Sequence, residues 1–357
     1  MELLAPTRYA ESWDNVGLLV GDPSRTLKKT LLCIDYTPVV AREARDLHCD
    51  SVIAYHPPIF KPLANFVVGG VSELVFDAAR DGIAIYSPHT ALDVAPGGTN
   101  DALADLIELR GREPLKYSKP SEANYKIVTF VPRESVDTVA DALFAAGAGR
   151  IGNYSKCSFR SSGKGTFQGD TGTHPAVGEP GKFETTDEVR LETIVTPARV
   201  HSTIEALRRS HPYEEAAIDV FESFTPPQIC GQGRVGTVPE GATVEMLINR
   251  LKREIGIDGV LVAGDATRLV RRAAVFAGSG SDGLDASIEH RVDLYLTGEL
   301  RHHDALKAVR AGVTVVCLLH SNSERPVLKW LMAQIKSALP GVACEISQVD
   351  SDPLSVM

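Results

Sequence analysis

Asp50-Ser51-Val52-Ile53-Ala54-Tyr55-His56, then a helical stretch, then Gly82-Ile83-Ala84-Ile85-Tyr86-Ser87-Pro88-His89, is the segment on which the fold turns. Its two short apolar runs lack polar alternation and read as strands buried on both faces. The stretch between them, Val71–Arg80, reads as a helix, so the segment is a βαβ unit and implies a parallel sheet. Upstream, Leu31–Ile34 adds another strand, and Val39–Leu47 a helix after Pro38.

The same rhythm returns near the other end of the chain. Ala273–Ala277 reads as a strand, Leu284–His290 as a helix and Val292–Leu296 as a strand. Asp304–Ala311 follows as a helix, Val313–Leu319 as a strand and Arg325–Ser337 as a helix. The run Gly312-Val313-Thr314-Val315-Val316-Cys317-Leu318-Leu319-His320 ends in a histidine, as do the strands at His56 and His89. Two related α/β halves facing each other across one site are therefore expected.

The middle of the chain is patterned differently. Tyr125–Val131 reads as a strand, Ser135–Ala146 as a helix and Ile151–Gln168 as a hairpin. After a loop at Gly169–Gly181 come a strand at Val189–Val195, a helix at Val200–Ser210 and a strand at Ala217–Phe221. That βαββαβ order is the ferredoxin-like pattern. Lys119-Pro120-Ser121 and Thr225-Pro226-Pro227 bracket it as linkers. The expected fold class is α/β: a body made of residues 1–118 and 228–357, with a ferredoxin-like domain inserted at 119–227. At roughly 150 residues per domain, a chain of 357 residues accommodates two.

The charge balance is 37 basic against 46 acidic residues, a net −9, which disfavours a nucleic-acid partner. A nucleotide ligand stays open, because a bound cation can supply the local positive charge. No apolar run approaches the roughly 20 residues of a membrane span, and the first ten residues lack the pattern of a secretory signal. The six cysteines form no CxxC pair, so neither a redox motif nor a zinc knuckle is present. A cytoplasmic location is expected.

Chemistry concentrates at the ends of the strands. His320 and Glu324 are four residues apart, and His89 and Asp93 repeat that spacing. His56 directly follows a strand, and Glu299, His302 and His303 follow another. In a parallel sheet the C-terminal strand ends border the crevice where ligands bind. One histidine there is ordinarily a loop residue. Several at matched strand ends, with carboxylates, form a mixed nitrogen and oxygen donor set suited to zinc, iron, nickel or manganese. Gly147-Ala148-Gly149-Arg150-Ile151-Gly152 fits a dinucleotide fingerprint but follows a helix, which removes its context. Gly278-Ser279-Gly280-Ser281-Asp282-Gly283 reads as a tight turn after a strand, with phosphate contact as the functional alternative. His211-Pro212-Tyr213-Glu214-Glu215 reads as a structured loop of the insert, and Trp13-Asp14-Asn15 as a turn.

Five separated motifs carry a resemblance. They are Trp13-Asp14-Asn15-Val16-Gly17-Leu18, Tyr55-His56-Pro57-Pro58-Ile59-Phe60, Ser87-Pro88-His89-Thr90-Ala91-Leu92-Asp93, Thr297-Gly298-Glu299-Leu300-Arg301-His302-His303-Asp304 and His320-Ser321-Asn322-Ser323-Glu324-Arg325. In this order they resemble the Nif-three-like family, also named GTP cyclohydrolase I type 2 homologues. The segments 149–154 and 211–215 resemble the PII/CutA-like insert of its longer members. The resemblance implies a toroidal homohexamer with a dinuclear centre, up to two divalent ions per subunit. By motif position the ligands are His56, Asp93, His320 and Glu324, with Glu324 bridging. Tyr55, His89, Glu299 and His303 are then candidates for orienting groups or proton carriers. One departure stands out: the family motif opens with paired histidines, and here the first is Tyr55, whose neutral phenol is a poor ligand. The implied activity is a metal-dependent hydrolase acting on GTP or a related nucleotide, opening the imidazole ring and releasing formate. The alternative is a non-enzymatic metal-binding assembly whose insert senses or gates a small ligand.

Overall fold

The computed structural model describes residues 1–69, 72–117, 124–151, 154–223 and 230–356. The chain divides into two compact units, one made of Met1–Ser118 with Pro226–Met357 and the other of Lys119–Thr225. Both expected linkers, as well as Val71, Gly152 and Asn153, lie outside the described residues.

The discontinuous unit holds two sheets. In the first, the order is Gly17–Val20, Ala84–Ser87, Ser51–Ala54, Lys29–Cys33 and Ala343–Ile346. The last four strands run parallel, and Gly17–Val20 pairs antiparallel on the edge. In the second, the order is Leu261–Ala263, Thr314–Cys317, Leu294–Glu299, Arg272–Ser279, Gly231–Thr237 and Arg110–Tyr117. Thr314–Cys317, Leu294–Glu299 and Arg272–Ser279 pair in parallel, and the flanking strands are antiparallel. Every residue of Ser51–Ala54 and of Thr314–Cys317 is buried, as expected for strands covered on both faces.

Alternate residues along these strands feed two cores per sheet. Leu31, Cys33, Val52, Ala54 and Ile85 pack on helices Pro38–Asp46 and Glu73–Arg80. Leu32, Ile34, Ile53 and Tyr55 face helix Val327–Ala338 on the other side. In the second sheet, Ala273, Val275, Leu294 and Leu296 meet helix Val244–Ile255, while Ala274, Phe276, Tyr295 and Val315 form a separate cluster. Local signals begin and end these helices. Thr37 accepts from Val40 N at 3.4 Å with Pro38 in the first turn, and Thr243 accepts from Met246 N at 3.3 Å. Gly256, at φ 80°, closes the latter helix in the left-handed region.

The last helical region departs from expectation. His320–Glu324 forms a short helix of its own, and the long helix starts only at Val327. Pro326 separates them, because proline lacks the N–H a continuous helix needs there.

The unit 119–225 carries the elements in βαββαβ order, with a four-stranded sheet ordered Ser158–Gln168, Phe183–Val195, Asn124–Pro132 and Ile218–Ser223. All its ladders are antiparallel. Helices Val136–Ala145 and Val200–Ser210 pack on one face through Val139, Leu143, Leu191 and Leu207. The hairpin is displaced from its expected position. Ser158–Gln168 is a single strand paired along its whole length with Phe183–Val195, so the turn lies in 169–182. Its glycines, serines and lysine suggest a turn, but an exposed edge strand tolerates those residues.

Candidate metal centre

His56, His320 and Glu324 converge at the C-terminal ends of strands from both sheets, and one donor atom of each lies within 4.8 Å of the others. His56 Nε2 is 3.3 Å from Glu324 Oε2, and His320 Nε2 is 3.2 Å from Glu324 Oε1. The two imidazole rings are 5.4 Å apart. The spacing of four between His320 and Glu324 works because the short helix places both on one face. Leu319, immediately before it, sits at φ 72°. His89, at the start of the matching helix His89–Val94, sits at φ 27°. Left-handed backbone at two non-glycine residues costs of order 1–3 kcal/mol each and clusters where function requires it.

Each histidine at this crevice has a carboxylate on its other nitrogen. Asp35 Oδ1 is 2.9 Å from His56 Nδ1, Glu299 Oε1 is 3.1 Å from His320 Nδ1, and Asp14 Oδ1 is 2.8 Å from His89 Nδ1. This carboxylate–imidazole pattern fixes the ring and its tautomer and leaves Nε2 for a cation. Glu324 Oε2 is buried without a directed hydrogen bond, despite its proximity to His56. A buried carboxylate oxygen so placed between two imidazoles fits a divalent ion.

Asp93 is not part of that triad. Its carboxylate accepts a hydrogen bond from the Tyr55 hydroxyl; Tyr55 is buried and Asp93 half-buried. Burial pushes Asp93 up to about 6, the Glu324 charge adds to this, and the Tyr55 hydrogen bond opposes it. Burial also holds the Tyr55 phenol well above its ordinary value. His89 stacks edge-on near this pair, 5.6 Å from Tyr55 and 5.3 Å from His56. His303 stands apart: it is exposed in the first turn of helix His302–Arg310, with its ring edge-on to His302.

Several groups that shape the centre carry no motif visible in the sequence. Asp35 obeys the strand-end rule, since it follows the run Leu31–Ile34, and that rule is the signal that finds it. Asp14 is fully buried and also accepts from Thr90 N at 3.2 Å, an anchoring role beyond a turn. Near the far end, Asp350 Oδ2 accepts from Ile34 N and Arg325 Nη1, each at 2.7 Å, and Asp352 Oδ2 accepts from Ser321 N at 3.1 Å. These two aspartates tie the Asp35 loop to the helix that presents His320 and Glu324.

Gly278 lies against this centre. At φ +68°, an added Cβ would lie 2.8 Å from Glu324 Oε1 and 3.4 Å from His320 Nε2. Its N–H donates to Ser323 Oγ at 2.8 Å. Gly278→Ala should lower stability by roughly 1–2 kcal/mol from backbone strain and weaken metal binding by roughly 10–100-fold. Gly312→Ala, at φ +78° with its nearest atom 4.0 Å away, should cost stability only. Denaturant titration and competition with a chelator separate the two effects.

The electrostatics predict opposite pH trends for the stability of the metal-free protein and for the stabilisation that metal adds. Burial works against a charged His56, but Asp35 and Glu324 override it and lift it to about 10. For His320 the hydrogen bond to Glu324 dominates over burial, giving about 9. Burial raises Glu324, yet its two imidazole neighbours bring it below the usual carboxylate value. A histidine whose pKa rises on folding contributes stability that is complete below its unfolded value and lost as pH climbs through its folded value. The melting temperature of the metal-free protein should therefore fall as pH rises from about 6.5 to about 10. The metal-induced rise in melting temperature should grow over the same window, because coordination requires deprotonated imidazoles. Parallel melts with and without zinc test both signs.

The model of the Duf34/NIF3 (NGG1p interacting factor 3) family matches residues 1–353 of this sequence. The chain belongs to that family. A Bacillus subtilis relative named "GTP cyclohydrolase 1 type 2 homolog" is 34% identical over 362 residues, covering 100% of this chain and 96% of the relative. A Mycobacterium leprae protein of the same name is 36% identical, covering 90% and 84%. Among solved structures, a Bacillus cereus protein related to NIF3 shares 32% identity with a TM-score of 0.66. Staphylococcus aureus protein SA1388 shares 26% identity with a TM-score of 0.81. Each structure is matched over 100% of this chain and 96% of its own. Membership accounts for the mixed α/β architecture with several sheets. No helix among the described residues is long and apolar enough to cross a membrane.

Proposed function

We propose that this member of the Duf34/NIF3 family is a metal-dependent hydrolase acting on GTP or a related nucleotide. The observation that carries the reading is the set of oriented imidazoles. His56 and His320 hold Nε2 3.3 and 3.2 Å from the buried Glu324 carboxylate while Asp35 and Glu299 hold their Nδ1 atoms. His56, His320 and Glu324 would hold a zinc, iron, manganese or nickel ion, with Asp93 as a fourth donor once released from Tyr55. Such an ion supplies Lewis acidity and lowers the pKa of a coordinated water. The chain's own residues do the rest. His89 keeps Nδ1 on Asp14, so its Nε2 is the atom free to take or give a proton. The Tyr55 hydroxyl donates to Asp93 beside it.

The names of the curated relatives support GTP as the first substrate to try. Protein loaded with zinc, iron or manganese is incubated with GTP and followed for formate. Release that disappears in His320→Ala is expected; release equal to that of the variant would sink the reading.

The unit 119–225 is read as a ferredoxin-like insert of the PII/CutA type, on the strength of its βαββαβ order and its strand order. It contains a cavity of about 630 Å³, lined by Phe130, Phe167, Glu188, Arg190, Tyr213 and Glu214 among others. That cavity favours a second reading, in which the insert senses a small ligand and the metal centre is regulatory. A homohexamer in the cytoplasm completes the proposal, and sedimentation velocity tests the assembly.

A further inference from the structure

Trp13 is 59% exposed and Phe60 49% exposed, yet the chain holds both in place. Their ring centroids are 5.9 Å apart at 60°, and Trp13 stands edge-on to His89 at 6.1 Å. His89 in turn lies 5.3 Å from His56 of the metal centre. The residues after Trp13 are anchored on both sides. The Asp14 carboxylate is fully buried against His89 and Thr90, and the Asn15 amide donates to the Ile59 carbonyl beside Phe60. Folding thus leaves a large aromatic surface unburied while fixing the backbone that presents it. A ring so preorganised loses little further freedom on contact, which is the condition under which stacking yields affinity.

We infer that the Trp13 indole, with Phe60 tilted against it as a side wall, forms a stacking platform for a planar heteroaromatic ring, of purine type, whose far edge reaches the His56–His320–Glu324 centre. The inference rests on the metal-centre reading only for the direction the ring points. Stacking tolerates any flat π face, so the platform selects the ring class and the metal centre selects the reacting atom.

The chain has two tryptophans, Trp13 and Trp330, so Trp330→Phe leaves Trp13 as the sole indole. In that background, guanosine and GTP should quench the fluorescence saturably, with or without zinc, and ribose 5-phosphate should not. By calorimetry, Trp13→Ala should bind GTP about tenfold more weakly, and Trp13→Phe should lose about threefold or less. Absent quenching, quenching equal to that by ribose 5-phosphate, or an unchanged Kd in Trp13→Ala would overturn the platform. Emission that depends on protein concentration and ignores nucleotide would also overturn it, assigning the patch to contact between copies of the chain. Quenching without formate release would leave the platform standing and sink the hydrolase instead. Formate release with an unaltered KM in Trp13→Ala would do the reverse.

Discussion

Glu324→Gln should leave the protein unable to retain a divalent ion through dialysis. The substitution keeps the shape of the side chain and removes the charge on which both histidines converge, His56 at 3.3 Å and His320 at 3.2 Å. Loss of an outer hydrogen-bond partner of a ligand costs roughly 10–100-fold in metal affinity. Loss of a buried anionic ligand should exceed about 100-fold. The same change should also release the histidines. His320 owes its elevation to about 9 first to Glu324 and only second to Glu299, so it should drop furthest, whereas His56 owes its largest single lift to Asp35 and should fall less from about 10. Metal analysis after dialysis reads the first effect, and a proton-NMR titration of the imidazoles the second. A Glu324→Gln variant that still carries a full complement of ion would remove Glu324 from the ligand set.

The centre is only partly legible in the sequence, and the physical reason differs from residue to residue. His56, His320 and Glu324 follow buried parallel strands, and such strands announce themselves as unbroken apolar runs. The antiparallel strands beside them do not. Arg110–Tyr117, on the edge, contains Gly111, Pro114 and three basic residues, and its neighbour Gly231–Thr237 contains Gly231, Gly233 and Gly236. Neither has the alternation that marks a strand, and both are held by backbone pairing more than by their own side chains. The same property conceals Ser158–Gln168 as one strand of a hairpin. Asp35 shows only its place at a strand end and Asp14 shows nothing, because the imidazoles they hold are 21 and 75 residues away in the chain. Only tertiary structure brings them together, as it does Asp350 and Asp352, whose partners lie across the unit. Gly278 is visible but ambiguous. A glycine after a strand serves a phosphate or makes room for a side chain, and the pattern is the same until Glu324 Oε1 is found beside it.

Tyr55→His should raise the metal content from about one ion per chain to about two. The wild-type arrangement offers one compact triad of donors, while the remaining carboxylate, Asp93, is bound to a phenol. That phenol is held well above its ordinary pKa, so it stays protonated and acts as a donor to Asp93. Imidazole at the same position would offer a lone pair in place of a proton. Asp93, raised by burial to about 6, would then face a cation and ionise fully. Glu324, whose charge acts on both Asp93 and Tyr55, would then be expected to serve both ions. The exchange has a cost in the metal-free protein. Tyr55 is only 2% exposed and packs in the core with Ile53, Leu92 and Val327, so a smaller, more polar ring should lower stability by roughly 1–3 kcal/mol. Added metal should recover that loss in Tyr55→His but not in Tyr55→Phe, which empties the hydrogen bond without supplying a ligand. Metal analysis and paired denaturant titrations decide the matter. A histidine variant that holds no more ion than the phenylalanine variant would place Asp93 outside the centre and leave this protein with a single-ion site by construction, not by the loss of one ligand.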